Sequence, residues 1–230
     1  YTVFKFFKMR LAFIALICVC FVISALAEAP ADLLNDEIKA AYIRRLNTYK
    51  CLHGQNPEDF YTWDDCIAPF SQNWAQTMAD SGFKHSGVSY SQKSCDSAQG
   101  YGENIGGGYG SVMSFVEGLY SEVECWDFDS SKEKDDCESG HFTAMIWKDC
   151  DRTAIGVARK GGNGAAYYAM HMGSSDGDTA NMGAITPDKV TPIDKTRSMA
   201  VCEAAIDSHA AGNEWKVEKA ESTEDDNSTV

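Results

Sequence analysis

Ser139-Gly140-His141-Phe142-Thr143-Ala144-Met145-Ile146-Trp147 is the stretch from which the chain becomes legible. Glycine lets the backbone turn sharply just before the histidine. Phe142, Met145, Ile146 and Trp147 then recur at roughly helical spacing, so the imidazole of His141 is expected at the mouth of a short buried helix. A single histidine beside an apolar run is usually a hydrogen-bonded structural residue. The residues upstream decide whether His141 is more than that.

Immediately before this stretch, residues 127–138 form a charged loop, and a Cys125–Cys137 bridge would staple it. The periodicity predicts a helix over 111–123, with Val112, Phe115, Val116, Leu119 and Val123 on one face. Spacing at 100° puts Glu122 on one border of that stripe and Glu117 with Glu124 on the other, without deciding which border carries chemistry. Before the helix, residues 100–110 hold six glycines in eleven. Neither the Lys-Ser/Thr of a phosphate loop nor a G-x-G-x-x-G between strand and helix is present, which excludes nucleotide binding on this motif.

A helix entered at Trp63-Asp64-Asp65, with Ile67, Phe70, Trp74 and Met78 as its buried stripe, is expected to end near Gly82, with His85-Ser86-Gly87 at its exit. An amphipathic helix is expected from Leu33 to about Tyr49, with a loop through His53–Pro57 after it. On the C-terminal side of His141, Ala154–Arg159 and Ala165–Met172 read as two strands of a glycine-turned hairpin. A weaker helix is expected over 198–210, where Cys202 would tie it to the core, and 214–230 reads as a disordered acidic tail carrying a sequon at Asn227.

The amino-terminal stretch is an address. Lys5, Lys8 and Arg10 precede the apolar run Leu11–Ala27, which closes on Ala25-Leu26-Ala27, so a secretory signal cut near Ala27 is expected and no span would remain after cleavage. Residues 1–8 precede Met9 and read as an upstream artefact or a fragment edge. Cleavage moves the formal net charge from −14 to −17, which argues against a nucleic-acid partner. The expected organisation is a signal at 1–27, one domain at 28–185 and an extension at 186–230. Seven cysteines remain, implying three disulfides and one cysteine over. Short loops suggest Cys51–Cys66 and Cys125–Cys137, and the spacing matches no zinc-finger pattern.

With His85-Ser86, Gly102-Glu103-Asn104, the glutamate-bearing third helix and Gly140-His141-Phe142-Thr143 in this order, residues 33–173 resemble the CAP superfamily of cysteine-rich secretory, antigen 5 and pathogenesis-related 1 proteins. The resemblance implies an α/β fold, a three-layer α-β-α sandwich, with a cleft holding two histidines and two glutamates. Position by position these are His85, Glu103, Glu122 and His141, with Phe142 in place of a tyrosine. Imidazoles with carboxylates suit Zn²⁺ better than Mg²⁺, and Glu103 or Glu122 would be the base if the protein were a metal-dependent peptidase.

The family also implies sterol or fatty-acid binding in apolar grooves, for which Trp126 and Phe128 are the candidate contacts, or action on a protein receptor through the surface alone. Binding is expected rather than catalysis, because no nucleophile with a base partner is evident. The chain departs from the family at Val157 and in 167–170, where cysteines are usual, and at Ala40-Ala41, where His-Asn is usual.

Overall fold

A computed structural model describes residues 33–87, 95, 99–175 and 184–217, so the expected signal segment and residues 218–230 lie outside the described residues. In chain order the elements are α1 (Asp36–Leu52), β1 (Thr62–Trp63), α2 (Ala68–Ser81), β2 (Gln99–Gly107), α3 (Val112–Ser121), β3 (Trp126–Asp127), β4 (Lys132–Glu133), α4 (Gly140–Met145), β5 (Arg152–Arg159), β6 (Ala166–Ser174) and α5 (Met199–Ala210). Among the described residues no helix is long and apolar enough to cross a membrane.

The central sheet runs β1-β5-β6-β2, parallel between β1 and β5 and antiparallel elsewhere, and β3 pairs with β4 as a separate ribbon. Period-2 alternation sorts side chains by size. Ala154, Gly156 and Ala158 of β5 and Ala169 of β6 face α2, where small residues let the helix lie close; Trp74, Ala75 and Met78 cover them. Ile155, Val157, Tyr168, Met170 and Met172 point the other way, into a larger core with Tyr42, Leu46, Phe115, Phe142 and Trp147. Helix α2 therefore forms one layer, and α1, α3, α4 and α5 form the other, which is the expected three-layer α-β-α sandwich.

Local chemistry sets the element ends. Asn35 caps α1 through Ile38 N–H at 2.8 Å, and Ser111 caps α3 through Ser114 N–H at 3.0 Å. Asp64 accepts from the N–H groups of Cys66 and Ile67, so it organises the turn into α2, while Trp63 sits in β1 rather than on the helix. The glycine-rich run, as far as Gly107, forms the edge strand β2. A Cβ at Gly106 would meet the Phe115 ring at 2.6 Å, so glycine there permits close packing of α3 on the sheet.

Three disulfides close the fold: Cys51–Cys202, Cys66–Cys95 and Cys125–Cys137. The last pair and the anchoring of α5 through Cys202 match expectation; the Cys51–Cys66 pairing is overturned. Cys51 rides the last turn of a rigid helix packed against α5, so its partner is 151 residues away rather than across the short following loop. Cys150 stays buried outside these bridges. The end of α1 also clamps the chain after His141. Lys50 is buried and donates to the carbonyls of Asp59, Trp147, Lys148 and Cys150, and Gln55 Nε2 donates to the Ile146 carbonyl. Burial draws the Lys50 ammonium down to about 8.

Candidate functional site

The four residues implied by the resemblance form two histidine–glutamate pairs. Glu103 leaves β2 on the α2 side of the sheet, and its Oε1 lies 2.6 Å from His85 Nδ1 in the segment that exits α2. The Ser86 N–H donates to both of its oxygens, at 2.9 and 3.2 Å. Glu122 is not on the helix itself but in the 3₁₀ turn that follows α3. There it faces the start of α4: Oε1 lies 2.6 Å from His141 Nδ1, and Oε2 accepts from the N–H groups of His141 and Phe142 at 2.9 and 3.2 Å. Its carboxylate thus caps the short helix, whose first N–H groups have no internal partner.

The edge strand stands between the pairs. Successive side chains of a strand point to opposite faces, so Glu103 serves His85 on one face while Asn104 donates from the other to the His141 carbonyl, at 2.9 Å. This amide is the polar link from the strand that carries one pair to the helix that carries the other. His85 is 61 % exposed and His141 33 %, whereas the carboxylates are 12 % and 20 % exposed: the imidazoles face solvent and their partners are sheltered.

Each Nδ1 is occupied by a carboxylate, and no described group hydrogen-bonds either Nε2. A ring held through Nδ1–H by a carboxylate presents Nε2 as a lone-pair donor, which is the usual support of a metal-ligating histidine. The residue types therefore fit a borderline divalent cation through His85 and His141, with Glu103 and Glu122 as the groups that orient them. No three of these four side chains bring ligand atoms within 4.8 Å of one another. Among the described residues the group that meets that spacing is Asp64 with Cys66 and Cys95, but its sulfurs are joined as a disulfide and offer no thiolate.

His171, missed in the sequence, completes the first pair. It lies directly across the ladder from Glu103, is 2 % exposed, and places Nε2 3.0 Å from Glu103 Oε2 and Nδ1 3.0 Å from Ser71 Oγ. Burial would raise the Glu103 carboxyl, but hydrogen bonds from His171 and Ser86 outweigh it and bring it down to about 2. His141 is shifted the other way: its hydrogen bond to Glu122 raises the imidazole above its ordinary value, against some loss from burial. His171 sits in an apolar strand run, Met170-His171-Met172, and only the pairing register reveals its partner.

His53 lies in the turn that ends α1, as expected. It is buried, bonds the Thr191 carbonyl and the Tyr120 hydroxyl, and lies against Phe128 and Phe142; burial draws it down to about 4, so it is neutral. Of the candidate sterol contacts, Trp126 is 3 % exposed within the main core and Phe128 is half-buried against His53 and Phe142. The Ser86 side chain also hydrogen-bonds Glu103, and Ser71, behind His171, is fully buried and engaged by His171 and the Ala154 carbonyl.

Comparison with known proteins adds four findings. The profile of the cysteine-rich secretory protein (CAP) family matches residues 43–172. Pathogenesis-related protein 1A of Nicotiana tabacum is 32% identical over 130 residues, 55% of this chain and 68% of that protein. Protein PRY2 of Saccharomyces cerevisiae is 29% identical over 132 residues, 57% of this chain but only 35% of that longer protein. Among solved structures, venom allergen-like protein 4 of Schistosoma mansoni superposes with a TM-score of 0.51 at 13% identity, covering 69% of this chain and 97% of that one, a likeness of fold.

Proposed function

The chain belongs to the cysteine-rich secretory protein family, and from that premise we propose that it acts outside the cell as a binding protein whose histidine–glutamate cleft holds a divalent cation of the zinc class. The observation that carries the reading is the pair of imidazoles, each gripped at Nδ1 by a sheltered carboxylate and neither hydrogen-bonded at Nε2 by a described group. His85 and His141 are the proposed ligands, and Glu103, Glu122 and His171 hold them in orientation. A bound zinc ion would supply a positive, Lewis-acidic centre. Three disulfides support an oxidising, extracellular setting.

Binding rather than turnover is proposed because the hydroxyls beside the first pair are already hydrogen-bonded, Ser86 to Glu103 and the buried Ser71 to His171. The test is calorimetric titration of Zn²⁺ into the metal-stripped secreted protein. Binding should vanish in the His85→Ala/His141→Ala double variant and weaken about 10–100-fold in Glu103→Gln or Glu122→Gln. No binding by the parent protein, or equal binding by the double variant, refutes the reading.

A further inference from the structure

At the opposite end of α2 from His85, three groups able to ligate a metal converge at the entry to the helix. One carboxylate oxygen of Asp64 lies within 4.8 Å of the sulfurs of both Cys66 and Cys95, a spacing that no other group of three meets among the described residues. In the oxidised protein the two sulfurs are bonded to each other and hold no ion. Reduction changes the chemistry. Two thiols facing one sheltered carboxylate are three of the four donors of a tetrahedral, thiolate-rich site, with the last position left to water.

Asp64 and Cys66 are placed by more than the bridge. The Asp64 N–H donates to the Thr153 carbonyl of β5 at 3.0 Å, and the Asp64 carbonyl accepts from the Ala68 N–H at 3.0 Å, so the turn is tied to both sheet and helix. Asp64 Oδ1 accepts from the N–H groups of Cys66 and Ile67 at 2.8 and 3.0 Å, which fixes the carboxylate beside Cys66. Ile67 itself is fully buried against Ala154. The bridges also differ in access. Cys66 is half-buried, which leaves its bridge open to a reductant, whereas Cys51 and Cys202 are both fully buried. Cys125–Cys137 is as accessible but has no third ligand at that spacing.

Electrostatics and donor softness select the occupant. A thiolate formed beside the buried Asp64 carboxylate is repelled by it, and a divalent cation between them turns that repulsion into attraction. Sulfur donors favour thiophilic ions such as Zn²⁺ and Cd²⁺ over Mg²⁺ and Ca²⁺. We propose that reduction of Cys66–Cys95 creates a site for one thiophilic divalent cation, held by the two sulfurs and the Asp64 carboxylate, which keeps the cross-link as a metal clamp. An external dithiol supplies two electrons and two protons: its own sulfurs join as a disulfide while the Cys66–Cys95 bond breaks to two thiols. The cation then displaces both thiol protons to solvent. Every such chain passes through this reduced state before its bridges form in an oxidising compartment.

The probe is Cd²⁺, whose bonds to thiolate give a charge-transfer absorption in the ultraviolet. It is titrated into the full secreted chain carrying His85→Ala/His141→Ala, so that the cleft takes no part and the outcome is separable from the cleft reading. The protein is compared as oxidised and after reduction by dithiothreitol and desalting without air. One tight, saturable site with the thiolate band is expected in the reduced form and none in the oxidised form. The site should persist in Cys125→Ser/Cys137→Ser and vanish in Cys66→Ser/Cys95→Ser. It should weaken at least about tenfold in Asp64→Asn, which keeps the Oδ1 acceptor of the turn. No Cd²⁺ uptake by the reduced form, an unchanged band in Cys66→Ser/Cys95→Ser, or equal affinity in Asp64→Asn overturns the proposal. Equal affinity is also the result if the reduced chain unfolds, because loose cysteines bind without regard to Asp64.

Discussion

At the scale of single residues, the two histidine–glutamate pairs are electrostatically unlike. His141 is raised by Glu122, so it stays protonated further up the pH scale in the folded protein than in the unfolded chain. Its contribution to stability is therefore complete below the unfolded value near 6.5 and disappears as pH rises through the folded value. The destabilisation caused by Glu122→Gln should accordingly be larger at about pH 5.5 than at about pH 8.5 in urea unfolding. Proton NMR should show His141 titrating above its ordinary range in the parent and falling back in that variant.

Glu103 behaves oppositely. With its folded value near 2 and its ordinary value at 4.5, it stabilises the protein above 4.5, and that contribution is lost as pH falls toward about 2. Melting temperatures of the parent and Glu103→Gln should converge across this interval; a constant offset would contradict the assignment. Glu103, Glu122 and His141 were visible in the sequence because short motifs surround them. His171 was not, because a histidine in an apolar strand has no local signature and its partner sits 68 residues away.

At the scale of elements, the layer α2 depends on one absent side chain. A Cβ on Gly156 of β5 would fall 2.2 Å from the Ser71 carbonyl carbon and oxygen, and helix backbone cannot yield as a flexible side chain does. Gly156→Ala should cost about 3 kcal/mol or more by denaturant unfolding and disturb the Ser71–His171–Glu103 chain with it. Gly110→Ala, where nothing lies within 4 Å, should stay within about 0.5 kcal/mol. The helices were legible from apolar periodicity and caps, and α5 follows its expected range to within one residue. The glycine-rich strand β2 was not legible, since glycine weakens any strand signal and its extended form is imposed by pairing with β6.

At the scale of the whole molecule, the bridge between positions 51 and 202 closes most of the described chain into one loop. Cys51→Ala/Cys202→Ala should lower unfolding free energy by about 2–5 kcal/mol. It should also speed amide exchange in α5 more than in the central sheet, because α5 is the element set loose. Equal acceleration in both would argue that the bridge supports the domain as a unit.

What the sequence by itself determined was the set of amphipathic helices and the hairpin, which depend on periodicity and turn residues, while the resemblance named the four residues that the structure joins as two histidine–glutamate pairs. Tertiary structure alone decided which cysteine meets Cys51, that Glu103 has a second histidine, and that the edge strand stands between the pairs. Each of these joins residues brought together by strand register or helix packing, and the energies that choose such partners belong to contacts distant in sequence, where local spacing carries no information.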